Sequence, residues 1–235
     1  ALPPSAVFAA ISSAITNQGP KLISDYSIFI GQFYVGLLVL WTLLIAFGYI
    51  FLKKDIFRLM RIVREPTMLA FATASSESAY PKTMEALDKF GVPKRITSFV
   101  LPLGYSFNLD GSMMYMAFAV LFIAQAYNID LSFSQQALIL FTLMITSKGI
   151  AGVSRASIVV IASTLAMFKL PEAGILLILA IDQFLDMGRT ATNVIGNSIA
   201  TAVIARTEGN KDELTEQEGI MVNNIPPANQ LADNS

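Results

Sequence analysis

The sequence predicts an all-α, polytopic membrane protein, and three observations carry that reading. The 235-residue chain is 54% hydrophobic and only 14% charged, against about a quarter charged in soluble domains. Residues 33–52, FYVGLLVLWTLLIAFGYIFL, form twenty consecutive uncharged positions, enough to cross a hydrocarbon core of roughly 30 Å as a helix. Short polar clusters then recur inside apolar runs, as in proteins whose membrane helices line a cavity.

The composition also excludes classes. With no cysteine, disulfides and thiolate metal sites are ruled out. There is no histidine, so proton chemistry near neutrality falls to carboxylates. A net charge of −1 argues against a nucleic-acid partner. The opening ALPPSAVFAAISSAI resembles neither a signal peptide nor a translation start, and the chain reads as lacking an N-terminal part.

Along the chain, 5–17 looks like the second half of an apolar helix, closed by Asn17-Gln18-Gly19-Pro20. A crossing is expected over 28–52. The following KKDIFRLMRIVRE, 53–65, holds five basic and two acidic residues, which the positive-inside rule places in the cytoplasm. Residues 67–80 are apolar, then small and polar, and the chain returns to the charged PKTMEALDKFGVPKR. Entry and exit on one side predict a re-entrant hairpin over 67–95, its tip tolerable only where protein or water satisfies the backbone. An interrupted helix is expected over 96–127, broken at GYSFNLDGS, and an external link at NIDLS. A second hairpin, 135–168, has the polar centre TSKGIAGVSRAS, and a last helix spans 173–205. From 206 to 235, two basic and six acidic residues with Asn, Pro and Gln predict a disordered cytoplasmic tail. The alternation of hairpin, interrupted helix, hairpin and polar helix suggests an inverted repeat with a midplane binding site.

The chemistry concentrates in the last helix. Asp110, Asp186 and Arg189 each cost roughly 2.5–3.5 kcal/mol in a bilayer. Asp186, Arg189 and Asn193 stand at i, i+3 and i+7 on one face, and Asp182 extends the stripe. Arginine offers a planar fork for a carboxylate, a neighbouring aspartate can hold an ammonium, and Asn193 adds donors and an acceptor. The set suits a zwitterion with an extra acid group. The plainer reading is an Asp186–Arg189 ion pair that locks helices. NLDG, with Asn108 and Asp110, offers oxygen ligands suited to a hard cation, or a glycine kink with a capped aspartate. SSES, 75–78, reads as an N-cap cluster where a helix dipole favours an anion. Lys148 and Arg155 flank the second hairpin tip, or snorkel outward.

SSESAYP (75–81), GYSFNLDGS (104–112), TSKGIAGVSRAS (146–157) and DMGRTATNVIGN (186–197) together resemble the four signature segments of the dicarboxylate/amino acid:cation symporters, the glutamate transporter family. The likeness covers 5–208 in the family's order and spacing. It implies the C-terminal portion of a trimeric elevator transporter of the plasma (bacterial inner) membrane, with 1–27 ending the scaffold region and 28–205 forming the transport-domain core. Position by position, Arg189 matches the arginine that grips the side-chain carboxylate of an acidic substrate, and Asp186 the residue that holds its amino group. Asn193 and Ser76 match contacts to the α-carboxylate, and Thr190 and Ser112 supporting hydroxyls. Gly152 and Val153 fall at the closing tip of the second hairpin. Asn108 and Asp110 match sodium ligands, and Ser106 and Ser147 fall at a second sodium site.

Three departures resemble the proton-coupled bacterial branch: Asn197 where sodium-coupled members usually have Asp, Lys148 beside a sodium position, and Leu109 where many have Met. Glu77 is then the expected proton carrier, on the premise that burial raises its pKa. Bacterial C4-dicarboxylate members share SSES, NLDG and TSKG but usually lack the aspartate at 186. Asp186 and Thr190 therefore favour glutamate or aspartate over succinate or fumarate. The expected function is symport of acidic amino acids with H+ and/or Na+, with no cofactor, and membrane lipid and a homotrimer as partners. The alternatives are a C4-dicarboxylate:cation symporter, a non-transporting fragment, or an intramembrane enzyme using Asp110 and Asp186 as a catalytic pair. Arg189 would hold Asp186 ionised, which counts against the enzyme.

Overall fold

The computed structural model describes residues 21–147 and 156–223, and the described residues are helical throughout apart from turns. The long helix α1 spans Lys21–Leu52. It is followed by α2, Asp55–Thr73, α3, Ser76–Phe90, α4, Lys94–Phe107, and α5, Asp110–Ala126. Beyond the NIDLS link come α6, Phe133–Thr146, and α7, Ala156–Met167. A 3-10 turn at Glu172–Gly174 leads into α8, Ile175–Leu179, and α9, Asp182–Asn223. The order after α1 is two helices then a two-part helix, twice.

Two stretches, Ser24–Leu52 and Lys94–Ala126, are long and apolar enough to cross a membrane. The large side chains Val35, Leu38, Val39, Leu43, Phe47 and Ile50 of α1 are exposed, as expected of a face turned to lipid. On its other side α1 runs parallel to α8 and α9, fixed by three ring donors. Tyr26 donates to the Leu177 carbonyl at 2.9 Å, Tyr34 to the Phe184 carbonyl at 2.7 Å, and Trp41 to Thr192 Oγ1 at 2.7 Å. Gly188 permits this approach, because a Cβ there would lie 2.7 Å from Leu37.

The first hairpin differs from the expected 67–95 in its first arm. KKDIFRLMRIVRE is largely helix rather than loop, because Ile56, Leu59 and Val63 share a face and are buried. Lys82 reaches Glu65 and Arg58 reaches the Lys89 carbonyl, so α2 and α3 run antiparallel. The chain reverses at Ala74, in the left-handed region at φ 48°, and Ser75 caps α3 by accepting from the Ser78 N–H at 3.3 Å. The N-cap expected in SSES is thus present.

The break expected within GYSFNLDGS falls at Asn108–Leu109, between α4 and α5. The last crossing is not the single helix expected over 173–205, since a turn at 180–181 divides it. There the Ile181 N–H bonds to Ile178 instead of Leu177, and the Leu177 carbonyl takes the Tyr26 hydroxyl. A carbonyl freed inside an apolar bundle needs such a donor. At the other end α9 continues past 205 to Asn223, where a disordered tail was expected. No proline falls between Pro171 and Pro226, and residues 224–235 lie outside the description.

Helix α9 is the hub, touching α1, α2, α3, α4, α5 and α8, while the second hairpin packs on α5. Every residue from 190 to 199 is buried. At the tightest crossing, a Cβ on Gly111 would collide with the Arg189 carbonyl and lie 2.9 Å from Thr192 Cβ. Backbone cannot swing aside as a side chain can. Gly111→Ala is therefore expected to destabilise the fold by about 1–3 kcal/mol or more, read as a lower thermal midpoint of the purified protein.

Candidate functional site: a charged and amide cluster on the central helix

Asp186 lies one turn into α9 and is 8% exposed. Its carboxylate pairs with the Arg189 guanidinium at i+3, so the ion pair weighed from sequence exists. Thr190, 1% exposed, donates to the Asp186 carbonyl at 2.7 Å and lies 3.2 Å from its carboxylate. Arg189 also donates to Ser157 of α7, and its guanidinium carbon sits 5.8 Å from the centre of the Tyr115 ring, within cation–π range. The Tyr115 hydroxyl donates to Asp182 at 2.6 Å. Asp182 is thereby fixed in the first turn of α9, where the dipole favours a carboxylate. Among the described residues the buried Arg189 Nε has no hydrogen-bond partner, leaving a guanidinium edge unsatisfied.

Asn193 joins α9 to α5. Its Oδ1 accepts from the backbone N–H of Gly111 at 2.9 Å and of Ser112 at 3.4 Å. Its Nδ2 donates to Ser112 Oγ at 3.1 Å. The amide thus serves as an N-cap for α5, supplied from another helix. Its second N–H makes no hydrogen bond among the described residues.

The second polar knot lies at the α4–α5 break. Asn108 and Asn197 meet at 3.1 Å. With both amides turned, Asn197 Nδ2 donates to Asn108 Oδ1, and Asn108 Nδ2 donates to Asp110 at 3.2 Å. That orientation also gives the buried Asn197 nitrogen, otherwise orphaned, a partner. Two glycines admit the knot, since a Cβ on Gly104 would lie 2.5 Å from the Asn197 amide, and one on Gly196 2.5 Å from Asp110. Among the described residues no three His, Cys, Asp or Glu side chains cluster. A cation here would rely on one carboxylate with amide and carbonyl oxygens, a set suited to a hard ion.

Ser147, 1% exposed, lies 3.1 Å from Met113 Sδ and from the Met144 carbonyl, which ties the second hairpin to α5. The structure therefore gathers Asp186, Arg189, Thr190, Asn193 and Ser112 at one knot, and Asn108, Asp110 and Asn197 at another. It does not bring every expected residue in. Ser76 opens α3, and its carbonyl accepts from Tyr105 of α4 at 3.2 Å. Ser106 is half-buried in the last turn of α4. Gly152, Val153, Lys148 and Arg155 lie outside the described residues.

Glu77 requires a correction. It is exposed, in the first turn of α3, so the burial invoked to make it a proton carrier is absent. Glu77→Gln is accordingly expected to leave the pH dependence of uptake unchanged, measured in vesicles across external pH.

Sequence reasoning missed Ser157 and Tyr115. Ser157 stands in the TSKGIAGVSRAS segment and Tyr115 in the interrupted helix, and neither carries a role on sequence grounds. Both reach Arg189 through contacts distant in sequence.

The cluster thus sets charges and amides beside helix breaks, buried amid apolar packing. The model of the sodium:dicarboxylate symporter family matches residues 1–207, and the chain belongs to that family. It is 45% identical over 215 residues to the "Proton/sodium-glutamate symport protein" of Bacillus caldotenax, covering 89% of this chain and 50% of that one. It is 42% identical over 207 residues to the "Proton/glutamate-aspartate symporter" of Escherichia coli, covering 87% and 47%. It is 40% identical over 216 residues to the "C4-dicarboxylate transport protein 1" of Mesorhizobium japonicum, covering 89% and 44%. The chain spans about half the length of these curated relatives.

Proposed function

We propose that the chain forms the substrate- and cation-binding part of a secondary symporter for glutamate and aspartate, driven by protons, sodium or both. The observation that carries this reading is the buried Asp186–Arg189 pair, whose Arg189 Nε has no partner among the described residues. Breaking a buried ion pair by losing one partner costs about 3–5 kcal/mol. A ligand that enters between the two must replace both charges. An acidic amino acid does so, giving its distal carboxylate to Arg189 and its ammonium to Asp186. The remaining Asn193 N–H is placed for its α-carboxylate. Relatives named for glutamate and for C4-dicarboxylates are similarly distant from this chain, so overall identity does not choose between the substrates.

A C4-dicarboxylate is the second reading, favoured by the relatives so named. A dianion would satisfy Arg189 but leave Asp186 facing like charge, and this places it behind the first. In the proposed protein α2–α3 and α6–α7 are re-entrant hairpins, the two halves are related by inversion, and the bundle moves as an elevator within a homotrimer of the inner membrane. The Asn108–Asp110–Asn197 knot is the proposed coupling site. One carboxylate there, with Asn197 neutral, supplies less charge than two would, which favours protons over sodium. Uptake of labelled glutamate by the full-length protein in proteoliposomes tests the coupling. An inward proton gradient without sodium is expected to sustain accumulation. Complete dependence on sodium would overturn the argument from Asn197.

A further inference from the structure

The end of α1 and the start of α2 carry a feature that substrate binding does not use. Five basic residues, Lys53, Lys54, Arg58, Arg61 and Arg64, fall within the twelve positions after the α1 crossing. They are all exposed, whereas the opposite face of α2, Ile56, Leu59 and Val63, is buried. Phe57 stands among them 62% exposed, an aromatic that water alone would not favour. A basic face with an exposed aromatic beside a membrane helix is the pattern of an interfacial segment.

At this corner a concavity of about 360 Å³ is lined by Leu52, Asp55, Arg58, Phe90, Val92 and Arg206, among others. Arg58 is held in place, its guanidinium carbon 5.5 Å from the Phe90 ring centre and its Nη2 donating to the Lys89 carbonyl at 3.4 Å. Arg206 of α9 lines the same concavity. Among the described residues Asp55 is the one carboxylate in the lining, against Arg58 and Arg206, so their balance is net positive. The apolar wall includes Leu52, Phe90 and Val92, and the exposed rings of Tyr49 and Phe57, 6.3 Å apart, stand on the adjoining turns of α1 and α2.

We propose that this concavity binds the phosphodiester headgroup of an anionic phospholipid, with Arg58 and Arg206 as its cationic contacts and the acyl chains laid along α1. Two arginines lining one concavity suit a phosphate, and the adjoining apolar rings select a lipid over a free phosphate. The inference rests on placing this end of the bundle at the cytoplasmic membrane surface and is independent of the substrate.

The test uses the full-length protein in mixed micelles, with retained lipid read by native mass spectrometry. Phosphatidylglycerol is expected to be retained, phosphatidylcholine not, and inorganic phosphate is not expected to displace it. The Arg58→Gln/Arg206→Gln variant is expected to weaken retention roughly tenfold or more. Arg61→Gln/Arg64→Gln, with the same loss of charge outside the cavity, is expected to retain it far better. Equal retention of the two lipids, equal loss in both double variants, or displacement by phosphate would each overturn the proposal. Should the first variant fail to fold, Arg206→Gln alone gives the same reading at smaller amplitude. Failure here would leave transport of acidic substrates untouched.

Discussion

Arg189→Ala is expected to abolish uptake of acidic substrates while the protein still assembles in the membrane. The guanidinium is the proposed counter-charge for the distal carboxylate, and it now neutralises the buried Asp186. Its removal deletes the charge-assisted fork for the distal carboxylate, a truncation that costs about 2–5 kcal/mol at a binding site, which corresponds to a loss of roughly thirtyfold to several thousandfold in uptake efficiency. Arg189→Lys keeps the charge but not the planar fork, so an intermediate loss is expected, expressed mainly in KM. Initial uptake rates, with thermal midpoints as a folding control, separate these outcomes. Arg189→Ala with near-normal uptake would show that Arg189 only ties α9 to α7 through Ser157.

Asp186→Asn is expected to reverse substrate preference. Asparagine keeps an oxygen for the Thr190 hydroxyl but cannot hold an ammonium ion-to-ion. Losing a hydrogen bond to a charged group costs about 1.5–3 kcal/mol, which is roughly tenfold to more than hundredfold in glutamate affinity. Succinate, released from repulsion by the carboxylate, is expected to compete better than in the parent protein. Competition constants for glutamate and succinate in both proteins measure the exchange. Glutamate affinity unchanged in the variant would remove Asp186 from substrate recognition.

Much of this architecture is legible from residues alone, where the signal is local. NLDG inside an apolar run marks the α4–α5 break, because Asn, Asp and Gly compete with helical backbone bonding. SSES marks a helix start by the same chemistry. The i, i+3, i+7 spacing of Asp186, Arg189 and Asn193 gives the shared face directly. What sequence could not supply is set by tertiary contact. The turn at 180–181 lies in Leu179-Ala180-Ile181, residues that suit a helix, and its freed carbonyl is satisfied by Tyr26 from a distant element. Asn193 was read as a ligand group, and its capping of α5 depends on Gly111 allowing two helices to touch. Glu77 failed on burial, a property of packing that a cluster of polar letters does not encode.

The central claim is that Asp186 and Arg189 are the counterparts of one zwitterionic acid. Its most direct test is substrate competition in proteoliposomes containing the full-length protein. Uptake of labelled glutamate is expected to be blocked by aspartate and little affected by succinate. Block by succinate as strong as that by aspartate would contradict the account, because Asp186 would then face no ammonium.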